Sequence, residues 1–256
     1  MTPLTLAALG WLLAAIAMAA LWACLRFPAI SGVHLATTLR RNDAVAAGEG
    51  PYPRSVIVDA GWIALVAGLA IFDATAGGGA WGRRSAIAWM MGSWGARLVV
   101  QLLYAPRVFR RRGGHDEGTA NEPDAARSFW FFQAKAVSAF FFSVPALIAS
   151  VNPNPNLSSV ELVASGLWIV GFAGETTADR QLLRFISNSK NTGLACRVGL
   201  WRYSRSATAV FEATIWVAYA LFAFASPRGS IALGCPAVMV YWLVTSRATD
   251  LEGEHV

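Results

Sequence analysis

Six ionisable side chains interrupt stretches that are otherwise apolar: Asp59, Arg97, Lys135, Glu175, Asp179 and Glu212. A charge placed within a membrane helix costs roughly 2.5–3.5 kcal/mol on insertion scales. Positions that keep one therefore mark either a polar cavity or a buried ion pair. A second concentration of chemistry lies in Glu175–Ala207, where Arg180, Arg184, Lys190, Arg197, Arg202 and Arg205 share one link with Trp201 and Tyr203. Basic side chains supply charge-assisted hydrogen bonds to phosphate, and aromatic faces can stack on a planar ring. The same composition also suits a segment at headgroup level, with its arginines on anionic lipid. Composition leaves both readings open.

The elements that must position these groups follow from hydropathy. The chain has 256 residues, of which 55% are hydrophobic and 14% charged, against about 25% charge for a soluble domain. Apolar runs fall near Pro3–Leu25, Val56–Thr75, Ser85–Tyr104, Ser128–Val151, Leu157–Gly174, Thr208–Ala225 and Gly229–Ser246. Each approaches the ~20 residues that cross a bilayer as helix, and none alternates with the period of a membrane barrel strand. The expected fold is all-α, a polytopic bundle of about seven transmembrane helices forming one integral-membrane domain over 1–256. No Lys or Arg precedes the first run, so it is expected to be a retained helix rather than a cleaved signal.

Basic residues set the orientation. Three (Arg83, Arg84 and Arg228) flank one side of this arrangement, sixteen flank the other, and Arg97 and Lys135 lie within segments. That bias predicts an N-terminus outside and a C-terminus in the cytoplasm. It also accounts for the net charge of +6 without a nucleic-acid partner. With this orientation all six ionisable groups fall within roughly 10 Å of the cytoplasmic face. A hydrated cavity opening there is expected, with Asp59–Arg97 and Lys135–Glu212 as ion pairs and Gln133 as a neutral donor and acceptor at similar depth. Asp73 and Glu161 sit near the outer ends instead.

Three scattered cysteines and three isolated histidines match no disulfide framework or metal-site spacing, so no metal is expected. Asn152-Pro153-Asn154-Pro155-Asn156 reads as a turn-rich outer connector. No internal repeat suggests a transporter built from inverted halves. Within the basic link, Thr176–Phe185 is expected to continue the fifth helix before the chain turns at Asn188, Asn191 and Gly193.

These residues resemble a known family. Glu175-x-x-Ala178-Asp179-x-Gln181, then Phe185, Gly199-Leu200-Trp201-Arg202-Tyr203-Ser204-Arg205 and Glu212 are similar to the bacterial branch of the steroid 5-alpha-reductase-like membrane reductases. So are Ser55-Val56-Ile57-Val58-Asp59-x-x-Trp62, Trp94-Gly95-x-Arg97-Leu98 and the surroundings of Gln133. The resemblance runs from about Ser55 to Val244, with a reductase-like region at 90–246 that includes the 175–207 cap.

It implies a seven-helix bundle in the bacterial cytoplasmic membrane that binds NADPH on its cytoplasmic side. A lipophilic enone, steroid-like or isoprenoid, would enter from the bilayer and receive hydride at its β-carbon. Glu175, Asp179, Arg197, Arg202, Tyr203 and Glu212 would then be cofactor-side positions. Asp59 and Arg97 would be catalytic, the acid role of Asp59 being inferred from its depth, and Trp62, Gln133 and Lys135 would line the substrate. Where the family carries His-Pro-Asn-Tyr, this chain reads Ser206-Ala207-Thr208-Ala209, with Ser206 or Thr208 expected to cap the sixth helix. The chain also stops sooner after its last segment than such relatives usually do. The alternative expectation is a non-catalytic membrane protein that keeps the fold and binds a lipid or a partner. A methyltransferase using S-adenosylmethionine is a third, on a related bundle.

Overall fold

The computed structural model describes residues 2–26, 54–110, 129–191, 194–241 and 245. Among them the regular structure is helical, without strands. The long helices are α1 (Pro3–Arg26), α2 (Arg54–Ala76), α3 (Trp81–Arg110), α4 (Phe129–Ser150), α5 (Ser159–Ile186) and α6 (Ala207–Phe224). A 3-10 turn at Gly229–Leu233 leads into a further helical stretch, 234–241.

Five of these helices, α1 to α4 and α6, are long and apolar enough to cross a membrane. Helices satisfy their backbone polar groups internally, which a span in hydrocarbon requires. Five such helices point to a membrane protein. The other two expected spans differ in kind. Helix α5 carries Glu161, Glu175, Asp179, Arg180 and Arg184 along its 28 residues, and of the seventh run the described residues give the apolar helix Gly229–Tyr241, with 242–244 outside them. The fifth run, expected to end as a span at Gly174, continues unbroken to Ile186. Thr176 and Thr177 do not interrupt it, because their hydroxyls bond back to Phe172 O at 2.6 Å and Ala173 O at 2.7 Å.

The chain forms two compact units. The first comprises Thr2–Phe72 and Met91–Ser143. Its core is built from Ala14, Met18, Val58, Leu69, Phe132 and Ala136. Small residues bring backbones close, as is usual between membrane helices: a Cβ on Gly95 would lie 2.6 Å from Ala67 Cβ, and one on Gly61 2.8 Å from Leu21 Cδ2.

The second unit comprises Asp73–Met90 and Val144–Val256. Helix α5 buries Ala164, Trp168, Gly171, Glu175 and Ala178, a spacing of three and four that defines one helical face. Gly171 and Gly174 on α5 leave room for Ile215 and Phe211 of α6. Trp168 Nε1 donates to the Tyr219 hydroxyl at 3.1 Å, which in turn donates to Met90 O at 3.2 Å.

This unit also contains a buried ion pair that sequence reading did not connect. Arg83, 2% exposed, donates to both carboxylate oxygens of Glu161, which is 0% exposed. The guanidinium also donates to Asn154 O and, at 2.8 Å, to Asn156 O. The connector is itself turned by its asparagines: Asn154 N donates to Asn152 Oδ1 and Asn156 N to Asn154 Oδ1, both at 3.1 Å. Glu161 has a second task. With Ser158 it closes a capping box at the start of α5. The connector between α4 and α5 is thus organised around one arginine.

Candidate functional site

The sequence-predicted residues fall into two groups, one within each unit. In the first unit, Lys135 Nζ on α4 lies 2.9 Å from Asp59 Oδ1 on α2. The ammonium also lies over the rings of Trp62 and Phe131, 5.5 and 5.9 Å from their centroids, within range for cation–π attraction. Trp62 Nε1 donates to Ser138 Oγ at 2.9 Å, and that hydroxyl donates to Lys135 O at 2.8 Å. Asp59, Trp62 and Lys135 therefore form one network. Gln133, partly buried, is on the same helix as Lys135.

The expected ion pairs are corrected here. Asp59 is held by Lys135, not by Arg97, and Arg97 Nη1 donates instead to Gln101 Oε1 at 3.2 Å. Glu212 accepts from Trp216 Nε1 at 2.7 Å. Position along a helix fixes depth but not the direction a side chain takes around the axis. At the helical spacing i to i+4, Gln101 is the neighbour of Arg97 on α3, and Trp216 that of Glu212 on α6. The Asp59 side chain remains 49% exposed, which leaves carboxylate surface open to a ligand.

In the second unit, Glu175 and Asp179 are both buried on the α5 face. Asp179 Oδ1 accepts a hydrogen bond from Thr208 Oγ1 at 3.2 Å. The residue expected to cap α6 thus turns its hydroxyl to α5. Ser206 occupies the N-cap position, but its side chain makes no capping bond. The Ser206-Ala207-Thr208-Ala209 sequence therefore does structural work different from the one expected of it.

The basic link forms two 3-10 turns, Ser189–Asn191 and Gly199–Arg202, and is pinned back onto α5. Leu200 N donates to Gln181 Oε1 at 2.8 Å, and Trp201 Nε1 donates to Ala178 O at 2.9 Å. Gly199 has φ +61°, and a Cβ there would run into the Gln181 carboxamide. Trp201 accordingly faces the helix, while Tyr203 is exposed along with Arg180, Arg184, Arg197, Arg202 and Arg205. Thr208 and Trp216 were missed as functional neighbours, although Glu212-x-x-x-Trp216 carries the i, i+4 signal.

This attachment can be tested. Gly199→Ala should cost about 1–2 kcal/mol locally, because a left-handed conformation disfavours any Cβ. The expected result is faster tryptic cleavage after Arg197 and Arg202, with little change in the unfolding temperature of the whole protein. Unchanged cleavage would mean that the Gly199–Gln181 contact does not hold the link.

The fold and these groups define the class: an all-α membrane protein whose fifth helix carries a buried acidic face beside a pinned basic link. The chain belongs to the family described as protein of unknown function (DUF1295), whose model matches residues 52–255; this is a steroid 5-alpha-reductase-like family. No curated protein and no solved structure matches the chain.

Proposed function

We propose that the protein is an NADPH-dependent reductase of a carbon–carbon double bond conjugated to a carbonyl in a lipophilic, steroid-like or isoprenoid molecule. The observation that carries this reading is the pinned link, which presents exposed arginines and Tyr203 on the unit that buries Glu175 and Asp179, within a steroid 5-alpha-reductase-like family. These residue types fit the cofactor. Arg197 and Arg202 offer charge-assisted donors to phosphate, and Tyr203 offers a ring face. Glu175, Asp179 and Glu212 offer acceptors to hydroxyl or amide groups.

When bound, NADPH supplies the hydride. The chain's own residues orient the reactants and manage the proton. In the first unit Lys135 donates to Asp59 Oδ1; a proton on the other Asp59 oxygen would let that group donate to the substrate carbonyl, with Arg97 as a second donor on the substrate side. Trp62 and Gln133 complete the substrate side. The basic bias of sixteen against three supports a cytoplasmic cofactor side, an outside N-terminus and residence in the bacterial cytoplasmic membrane.

One observation favours a second reading, a non-catalytic lipid- or partner-binding protein. The family's His-Pro-Asn-Tyr position is replaced, and Thr208 there occupies Asp179 Oδ1. Thermal-shift titration of the detergent-purified protein with NADPH, NADH and S-adenosylmethionine separates the readings. A ligand at about 100 times its dissociation constant stabilises the native state by roughly 2.7 kcal/mol. Stabilisation by NADPH alone is expected; a shift with none of the three favours the non-catalytic reading.

Glu212→Gln refines the test. The amide oxygen can still accept from Trp216, so the unliganded protein should keep its stability. NADPH should bind about tenfold more weakly or worse, the worth of one charged hydrogen bond. Unchanged affinity would remove Glu212 from the site.

A further inference from the structure

The link between α5 and α6 leaves large apolar side chains uncovered: Leu194 is 63% exposed, Val198 58% and Tyr203 87%. Lys190, Arg197, Arg202 and Arg205 are exposed among them. No acidic residue occurs between Asp179 and Glu212, so every charged side chain of the link is basic. Neither Leu194 nor Val198 has a role in binding the cofactor proposed above.

Hydrogen bonds fix the height of this surface. Trp201 is held at the level of Ala178 and Leu200 at the level of Gln181. Thr208, in the first turn of α6, is held at the level of Asp179. The pinned part of the link is therefore level with the start of α6. That helix has 18 residues, all within one apolar candidate span. At 1.5 Å per residue it covers about 27 Å, close to the ~30 Å thickness of a hydrocarbon core. Its first turn consequently lies at a membrane face. A polar environment would leave three exposed apolar side chains without cover, whereas headgroup level accommodates both the apolar bodies and the cations.

We infer that the exposed rim of this link, formed by Lys190, Leu194, Val198 and Arg205, docks onto the anionic phospholipid surface of the leaflet at which α6 begins. Apolar side chains enter the headgroup layer, and basic ones meet lipid phosphates. The occupant is the membrane surface itself, recognised by charge and by apolar contact together.

The test uses the unaltered full-length chain in lipid nanodiscs of phosphatidylcholine alone, or with about 30% phosphatidylglycerol. Tryptic cleavage after Arg197 and Arg205 is followed by mass spectrometry. Roughly 25-fold slower cleavage is expected in the anionic discs, because Lys190 and Arg205 near such a surface each add about a fivefold preference. Protection should disappear in about 0.5 M salt, where surface charges are screened. A Leu194→Ser, Val198→Ser double variant, changed only at exposed positions, should lose the protection while retaining its unfolding temperature. Equal cleavage in both discs, or protection indifferent to salt, would overturn the proposal. NADPH thermal shifts in phosphatidylcholine discs report separately on the cofactor, so either reading can fail without the other.

Discussion

Arg83→Met should destabilise the protein by about 3–5 kcal/mol, the usual cost of stranding one member of a buried ion pair. The change removes the guanidinium from a carboxylate that is 0% exposed. It also removes donors to Asn154 O and Asn156 O. Unfolding of the detergent-solubilised protein, followed by fluorescence-detected size exclusion after heating, measures the loss. Adding Glu161→Gln should recover part of it, because no charge then remains buried and the amide can still serve the capping box with Ser158. Recovery should be incomplete, since the connector carbonyls still lack their donor. A loss below about 1 kcal/mol in the single variant would place this pair with weakly contributing surface bridges.

Gly174→Val should be nearly as damaging, by a different cause. A Cβ at this position would overlap the Phe211 ring, and the neighbouring Gly171 has Ile215 Cγ1 at 2.8 Å from its own would-be Cβ. Overpacking a close helix contact costs about 1–3 kcal/mol, and a rigid ring leaves little room to relax. The variant should lower the unfolding temperature and weaken any NADPH shift together, because Phe211 precedes Glu212 on α6. Phe211→Ala in the same chain should restore stability. If it does not, the crowding lies elsewhere along α5.

The spans were largely readable from sequence because hydrophobic length is a one-dimensional property. The runs at Val56–Thr75, Ser128–Val151 and Thr208–Ala225 agree with α2, α4 and α6 to within two residues at each end. Continuation of the fifth helix into the basic link was also readable, since no proline or glycine interrupts Glu175–Ile186. Partners were harder. Asp59, Arg97, Lys135 and Glu212 were assigned by depth, and depth alone does not choose between neighbours around a helix axis. The pairing of Lys135 with Asp59 also draws on Trp62 and Phe131, whose rings share the ammonium; that is a property of four side chains meeting, not of any one position.

Arg83 was counted only as a charge on the sparsely basic side. Its signal was present nonetheless, in Asn-Pro-Asn-Pro-Asn followed by Ser158-x-x-Glu161. Such a run supplies acceptor carbonyls and a capping carboxylate within a few residues. Residues 27–53, 111–128 and 246–256 lie outside the described residues; the turn that Gly48-Glu49-Gly50-Pro51-Tyr52-Pro53 suggests by its composition, and most of the polar stretch Pro106–Arg127, fall there.

The connector between α4 and α5 has a fixed length for a chemical reason. Pro153 and Pro155 bring no N–H of their own, and the carbonyls of Asn154 and Asn156, two residues apart, meet the same guanidinium that holds Glu161. One added residue would turn the following carbonyl to the opposite side and shift Glu161 out of reach. Short links between membrane helices are the customary place to insert an epitope tag, because exposed loop tips usually tolerate extra chain. In this protein that link behaves as a part of the core, and an inserted tag would act on the whole second unit.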